Sequence, residues 1–203
     1  MAGEPTSPAR AVMKILVTGG FGAGKTALIA AVSEITPVTT EAPVTEASAG
    51  TDSLNGRETK ATTTVSFDFG RRTYPAPSMT VELFLFGTPG QKRFELLWEE
   101  LARGAVGAVV LVDTRHLEDA FTPLDFTERH RLPVVIAVNE FAQDPHRYTA
   151  GEVRDALGVP PDVPVVTCDA RDPDSARNVL ATLLIRVRSQ THPSTPSASG
   201  ALL

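Results

Sequence analysis

The chain has 203 residues, 42% of them hydrophobic, and a formal net charge of −5. That size suits one folded domain with a full core, and the apolar share excludes a wholly disordered chain. The acidic balance argues against general nucleic-acid binding, which needs a basic surface to displace counterions, and a lone cysteine, Cys168, excludes an internal disulfide or a cysteine metal cage.

Residues 1–11 are small and polar, with Pro5 and Pro8, and read as a flexible lead. The apolar run from Met13 to Val17 then predicts a strand, and Ala27 to Val32 a helix. Between them stands Gly19-Gly20-Phe21-Gly22-Ala23-Gly24-Lys25-Thr26, which fits G-x-x-x-x-G-K-[ST]. The glycines let the backbone wrap an anion with successive N–H groups, and the helix beginning near Lys25 adds its positive end. In this motif Lys25 reaches the β- and γ-phosphates and the Thr26 hydroxyl ligates Mg²⁺. The chain is therefore expected to bind a nucleoside di- or triphosphate through Gly19 to Ala27.

From Ile35 to Ala61 the chain is rich in Thr, Glu, Pro, Ala and Ser and has no apolar period, so it is a functional loop or disordered. Thr64 to Phe69 alternates strictly, the mark of a half-exposed strand at a sheet edge. Val81–Phe86, Ala105–Val112, Val134–Val138 and Val163–Val166 are nearly unbroken apolar runs, as parallel strands covered on both faces require. Helical spacing recurs at Phe94, Leu97, Trp98 and Leu101, and again at Val179, Leu180, Leu183, Leu184 and Val187. The last helix carries Asp172 and Asp174 at its start and Arg186 and Arg188 at its end. Thr149 and Glu152 form a capping box ahead of Val153 and Leu157. Residues 190–203 are Ser/Thr/Pro-rich and read as a disordered tail. The expected fold is α/β, a three-layer doubly wound and mostly parallel sheet with one antiparallel edge strand, over residues 12–189. Ligands would bind beyond the carboxyl ends of the strands.

The phrases GGFGAGKT, TTTVSFDFG, LFGTPGQKRF, VNEF and PVVTCDARD, spread from Lys14 to Val187, resemble the Ras-like P-loop small GTPases. The likeness is strongest to those encoded in actinobacterial conservon operons, and extends more distantly to the MglA-like prokaryotic small GTPases. It implies a GTP/GDP switch with Mg²⁺, whose first mobile segment spans about residues 35–64 and whose second spans about 87–95. Thr64, with Thr63 as fallback, would complete the metal shell beside Thr26. Gly90 would offer its N–H to the γ-phosphate, Gln91 would orient the attacking water, and Lys25 would neutralise charge as it is transferred. Asn139 and Phe141, with Cys168, Asp169 and Ala170, would surround the base, the Ala170 N–H meeting its oxygen. A roadblock-type regulator and a histidine-kinase-like sensor are the implied partners.

This chain departs from that family at three places. Gly87 stands where an aspartate normally holds Mg²⁺, leaving Asp113 and Glu82 as conceivable substitutes. Glu140 and Ala142 replace the lysine and aspartate of the guanine-reading motif N-K-x-D. A buried carboxylate facing two donors is what separates guanine from adenine, and Asp144 is the nearest carboxylate that a rearranged loop could bring in. Arg71 and Arg72 are either charge donors to phosphate or a solvated strand end, and Cys168 reads as a small buried residue. Two other readings therefore stay open: a nucleotide-binding interaction module with little hydrolysis, and an ATP-using P-loop enzyme. No run is long enough for a membrane span, no signal peptide is expected from the first residues, and neither Ala2 nor Leu203 supports the expectation of a lipid anchor. A cytoplasmic protein, open to recruitment to a membrane by a partner, is expected.

Overall fold

A computed structural model of the chain describes residues 9–44, 63–75, 79–90 and 95–191. β1 (Ala9–Gly19) passes through the glycine loop into α1 (Lys25–Val32), followed by β2 (Val38–Val44), β3 (Thr63–Pro75) and β4 (Met79–Gly87). Then come α2 (Glu95–Ala102), β5 (Ala105–Val112), a 3-10 helix (Thr114–Ala120) and α3 (Phe121–Arg129). β6 (Val134–Asn139), α4 (Ala150–Leu157), β7 (Val165–Cys168) and α5 (Pro173–Thr191) complete the order.

Among the described residues the strands form one sheet in the order β2-β3-β4-β1-β5-β6-β7. From β4 to β7 the neighbours are parallel, whereas β3 is antiparallel to both β2 and β4. This is the mostly parallel α/β sheet, antiparallel on one side, that the sequence predicts. It is one strand wider than expected, because β2 pairs along the outside of β3. Its residues, Val-Thr-Thr-Glu-Ala-Pro-Val, carry no alternation, and Pro43 is acceptable only because an edge strand can forgo a ladder donor. β1 likewise begins at Ala9, inside the segment read as a lead. Residues 45–62, 91–94 and 192–203 lie outside the described residues, and with them most of the expected first switch segment (about 35–64), Gln91 and nearly all of residues 190–203.

The apolar runs are buried because helices cover both faces. Ile15, Leu16, Val17 and Ala108 to Val112 are fully buried. On one face Ile15, Val17, Val109 and Leu111 meet Leu28 and Ile29 of α1 and Val179, Leu180 and Leu183 of α5. On the other, Val110, Val112, Ile136 and Val138 meet Val153 and Leu157 of α4, and Leu16 meets Trp98 and Phe126. The Trp98 and Phe126 rings pack edge to face, 5.3 Å apart. Each such side chain contributes about 1.5–3 kcal/mol by leaving water.

Helix ends follow the predicted chemistry. Thr149 Oγ1 accepts from the Glu152 N–H at 3.2 Å while the Glu152 carboxylate accepts from the Thr149 N–H at 2.8 Å. The left-handed Gly158 (φ 63°) closes α4. Asp172 accepts from the Ser175 N–H at the start of α5. β7 begins two residues later than the apolar run suggests, at Val165. No helix among the described residues is long and apolar enough to cross a membrane.

Candidate functional site

The loop after β1 adopts a conformation few side chains would permit. Gly19 has φ 144°, and a Cβ there would lie 2.3 Å from the Leu111 carbonyl oxygen. Gly24 has φ 106°, and a Cβ there would lie 2.5 Å from the Asn139 amide nitrogen. Gly24 also caps α1 without any side-chain hydrogen bond. The first N–H groups of α1 are therefore served by no capping side chain, which is the condition for an anion site at a helix N-terminus.

Lys25 curls over this loop, its Nζ donating to the carbonyls of Gly19 at 3.0 Å and Gly20 at 2.6 Å. Burial lowers its pKa to about 8, against the opposing pull of the Asp68 and Asp119 carboxylates. A desolvated ammonium of this kind gains strongly from an anion beside it. Thr26 directs its hydroxyl proton to Asp68 Oδ2 at 2.5 Å. Asp68 lies on β3 and is buried.

The Gly87–Gly90 segment is laid directly on the phosphate loop. The Thr88 N–H donates to the Val17 carbonyl at 2.9 Å and its hydroxyl to Thr18 at 3.0 Å. Trp98 Nε1 holds the Pro89 carbonyl at 3.1 Å. Between these anchors, a Cβ on Gly90 would lie 2.8 Å from Phe21 Cα and 2.9 Å from Lys25 Nζ, so only glycine fits. Phe21 itself is 73% exposed.

Asn139 ties three segments together. Its Nδ2 donates to the Ala23 carbonyl at 3.0 Å, and its Oδ1 accepts from the Ala170 N–H at 2.9 Å. The Ala170 N–H expected to meet a base is thus committed to Asn139. Cys168 is buried and its thiol is pushed up to about 12 by burial, so it is inert, as expected. The Asp169 carboxylate accepts from Arg171, which holds its pKa down. Phe141 lies under the Arg115 guanidinium, 3.7 Å from ring centre to the guanidinium carbon. Ala142 and Glu140 are off the buried clasp, Glu140 facing Arg147. Asp144 does line the same small cleft as Asn139 and Phe141, with its carboxylate accepting from the His146 N–H at 2.9 Å.

Several candidates fall elsewhere. Thr63 and Thr64 open β3 and pair with Val44 and Pro43. Thr64 is four residues from Asp68, about 13 Å along an extended strand. Neither carboxylate named as a substitute for the one missing at Gly87 faces Thr26. Asp113 is gripped by Arg115 at 2.6 and 2.8 Å, and Glu82 pairs with Arg10 at 2.7 Å, five residues back along β4. Arg71 is a strand residue bound to Glu34 at 3.1 Å. The carboxylate that does face Thr26 is Asp68, which the sequence alone did not single out. A cleft of about 470 Å³ between α3 and the α4–β7 turn includes Val134, the first residue of β6. It therefore lies at the opposite end of the strands from the glycine loop.

Among the described residues no three His, Cys, Asp or Glu side chains gather as a metal cluster. Mg²⁺ at a phosphate site needs only one or two protein oxygens besides phosphate and water, and the Thr26 hydroxyl beside the Asp68 carboxylate meets that need. No curated protein matches the chain. A family model described as "Conserved hypothetical ATP binding protein" matches residues 17–188, from the last residues of β1 into the last turn of α5. With the glycine loop, the half-buried lysine and the sheet that positions them, the chain belongs to that family of nucleotide-binding P-loop proteins.

Proposed function

We propose that the chain is a nucleotide switch of the small-GTPase type, nearest in kind to the conservon GTPases, with slow hydrolysis of GTP to GDP. The observation that carries this reading is the contact of Gly90 with Phe21 and Lys25. A γ-phosphate held by Lys25 and by the loop amides displaces or engages that glycine, so the loop's position depends on which nucleotide is bound. Hydrolysis then relies on charge neutralisation and on a positioned water. Lys25 and the N-terminal amides of α1 neutralise charge spreading onto the γ-phosphoryl oxygens, and Gln91 aligns the water. Thr26, beside Asp68, would hold Mg²⁺, which would supply positive charge to offset that developing on the phosphoryl oxygens. Thr64 joins that shell only once the first residues of β3 leave β2, which gives the first segment its two states. Asn139 fixes the floor of the base site, with Phe141 and Asp144 at its side.

A second reading, an ATP-using P-loop protein, is favoured by Ala142 and by the family's description. Trp98 is the single tryptophan of the chain and is bonded to Pro89, so its fluorescence reports the second segment. A different emission with GDP than with a non-hydrolysable GTP analogue is expected. Identical emission and identical hydrogen exchange over residues 87–95 in the two states would contradict a switch. Response to the adenine pair alone would select the ATP reading.

A further inference from the structure

We infer that Asp68 is the metal-shell carboxylate of this site, moved one strand across the sheet from the position held by Gly87, and that it acts by orienting Thr26 toward Mg²⁺. The inference rests on the nucleotide-binding reading above and names a residue for its metal. In the antiparallel register that pairs Phe69 with Phe86, Asp68 comes level with Gly87. Directly opposed residues of an antiparallel pair present their side chains on the same face. A carboxylate on β3 therefore reaches the point that a side chain on residue 87 would occupy. Gly87 leaves room for it. A Cβ there would lie 3.3 Å from Asp68 Cβ, 3.4 Å from Asp68 Oδ2 and 3.0 Å from Ile29 Cδ1. Both positions cannot carry carboxylates at that separation.

The direction of the Thr26 hydrogen bond supplies the chemistry. A threonine hydroxyl has one proton and two lone pairs. Giving the proton to Asp68 Oδ2, at 2.5 Å, leaves the lone pairs for a cation. Asp68 is 8% exposed and raises the pKa of the neighbouring Lys25 ammonium. Its negative charge therefore acts beside the point where a divalent cation and phosphates would meet. Asp113 and Glu82 are each bound to an arginine instead.

The test is a Mg²⁺ titration of nucleotide release, using fluorescent analogues of GDP and of ADP, on the native chain and on Asp68→Asn. Asparagine keeps the size and an acceptor for Thr26 but removes the charge. Loss of a partner that orients a metal ligand costs about 10–100-fold in metal affinity. The Mg²⁺ half-point for slow release should rise by that factor, while affinity measured in EDTA is not weakened. The double variant Asp68→Gly/Gly87→Asp should bring the half-point back toward native, since it returns the carboxylate across the sheet. Gly87→Ala, which crowds Asp68 while leaving it charged, should raise it as well and serves if Asp68→Asn does not fold. A native half-point in Asp68→Asn, or in Gly87→Ala, overturns the inference while nucleotide binding stands. Failure of the native chain to bind either analogue removes both.

Discussion

Asn139 is the point at which the phosphate loop, β6 and the β7–α5 loop are joined, and its removal should be felt in all three. Asn139→Ala deletes the donor to the Ala23 carbonyl and the acceptor for the Ala170 N–H. Both partners sit in a buried setting, and Asn139 is itself only 6% exposed. A buried backbone group left without a partner costs about 1–3 kcal/mol. Two of them give about 2–4 kcal/mol once some water entry and relaxation beside Gly24 are allowed. For a domain of this size each kcal/mol lowers Tm by about 2–4 °C, so a fall of at least about 4 °C is expected. Asn139→Asp should be no better, because it keeps the acceptor for Ala170 but turns a carboxylate oxygen toward the Ala23 carbonyl. Urea unfolding at constant m checks the size of the change. A loss within about 0.5 kcal/mol, the level of an ordinary surface substitution, would refute the clasp.

Lys25→Ala should weaken nucleotide binding about tenfold or more, the worth of a charged contact of about 1.5–3 kcal/mol, in a fluorescent-nucleotide titration. Because the Lys25 pKa in the free protein is lowered to about 8 and adjacent phosphates raise it, binding above that pH takes up a proton. Affinity should be flat below pH 8 and fall by up to about tenfold per unit above it, with proton uptake seen by calorimetry in two buffers and absent in Lys25→Ala. The same shift makes stability of the free protein rise with pH between about 8 and 10.5, since the unfolded lysine holds the extra proton there. Thr149→Ala should cost about 0.5–2 kcal/mol in urea melts through the lost cap of α4 and leave nucleotide affinity unchanged. Ala142→Asp should raise the preference for GDP over ADP in competition, by restoring an acceptor for two donors on guanine.

What the sequence disclosed and what it withheld divide along one physical line. Gly19 to Thr26, the Thr149–Glu152 cap and the doubly buried strands are local patterns, fixed by spacing along a few residues. Asp68 depends on a register between β3 and β4, and nothing in the residues around it announces that it will face Gly87. The exposed-looking alternation of Thr64 to Phe69 even reads it as a solvent-side position. β2 was hidden for a related reason: an edge strand held by backbone pairing can dispense with an apolar pattern, and Thr39 to Pro43 has none. The bond from the Ala170 N–H to Asn139 was hidden for the same reason, being a long-range contact between β6 and the loop after β7.

Competition between unlabelled GDP and ADP for one fluorescent guanine nucleotide, on the native chain and on Lys25→Ala, tests the central claim most directly. GDP should displace the label at lower concentration than ADP, and Lys25→Ala should weaken both. Displacement by ADP at the lower concentration would contradict the guanine switch, and equal binding by Lys25→Ala would contradict the site itself.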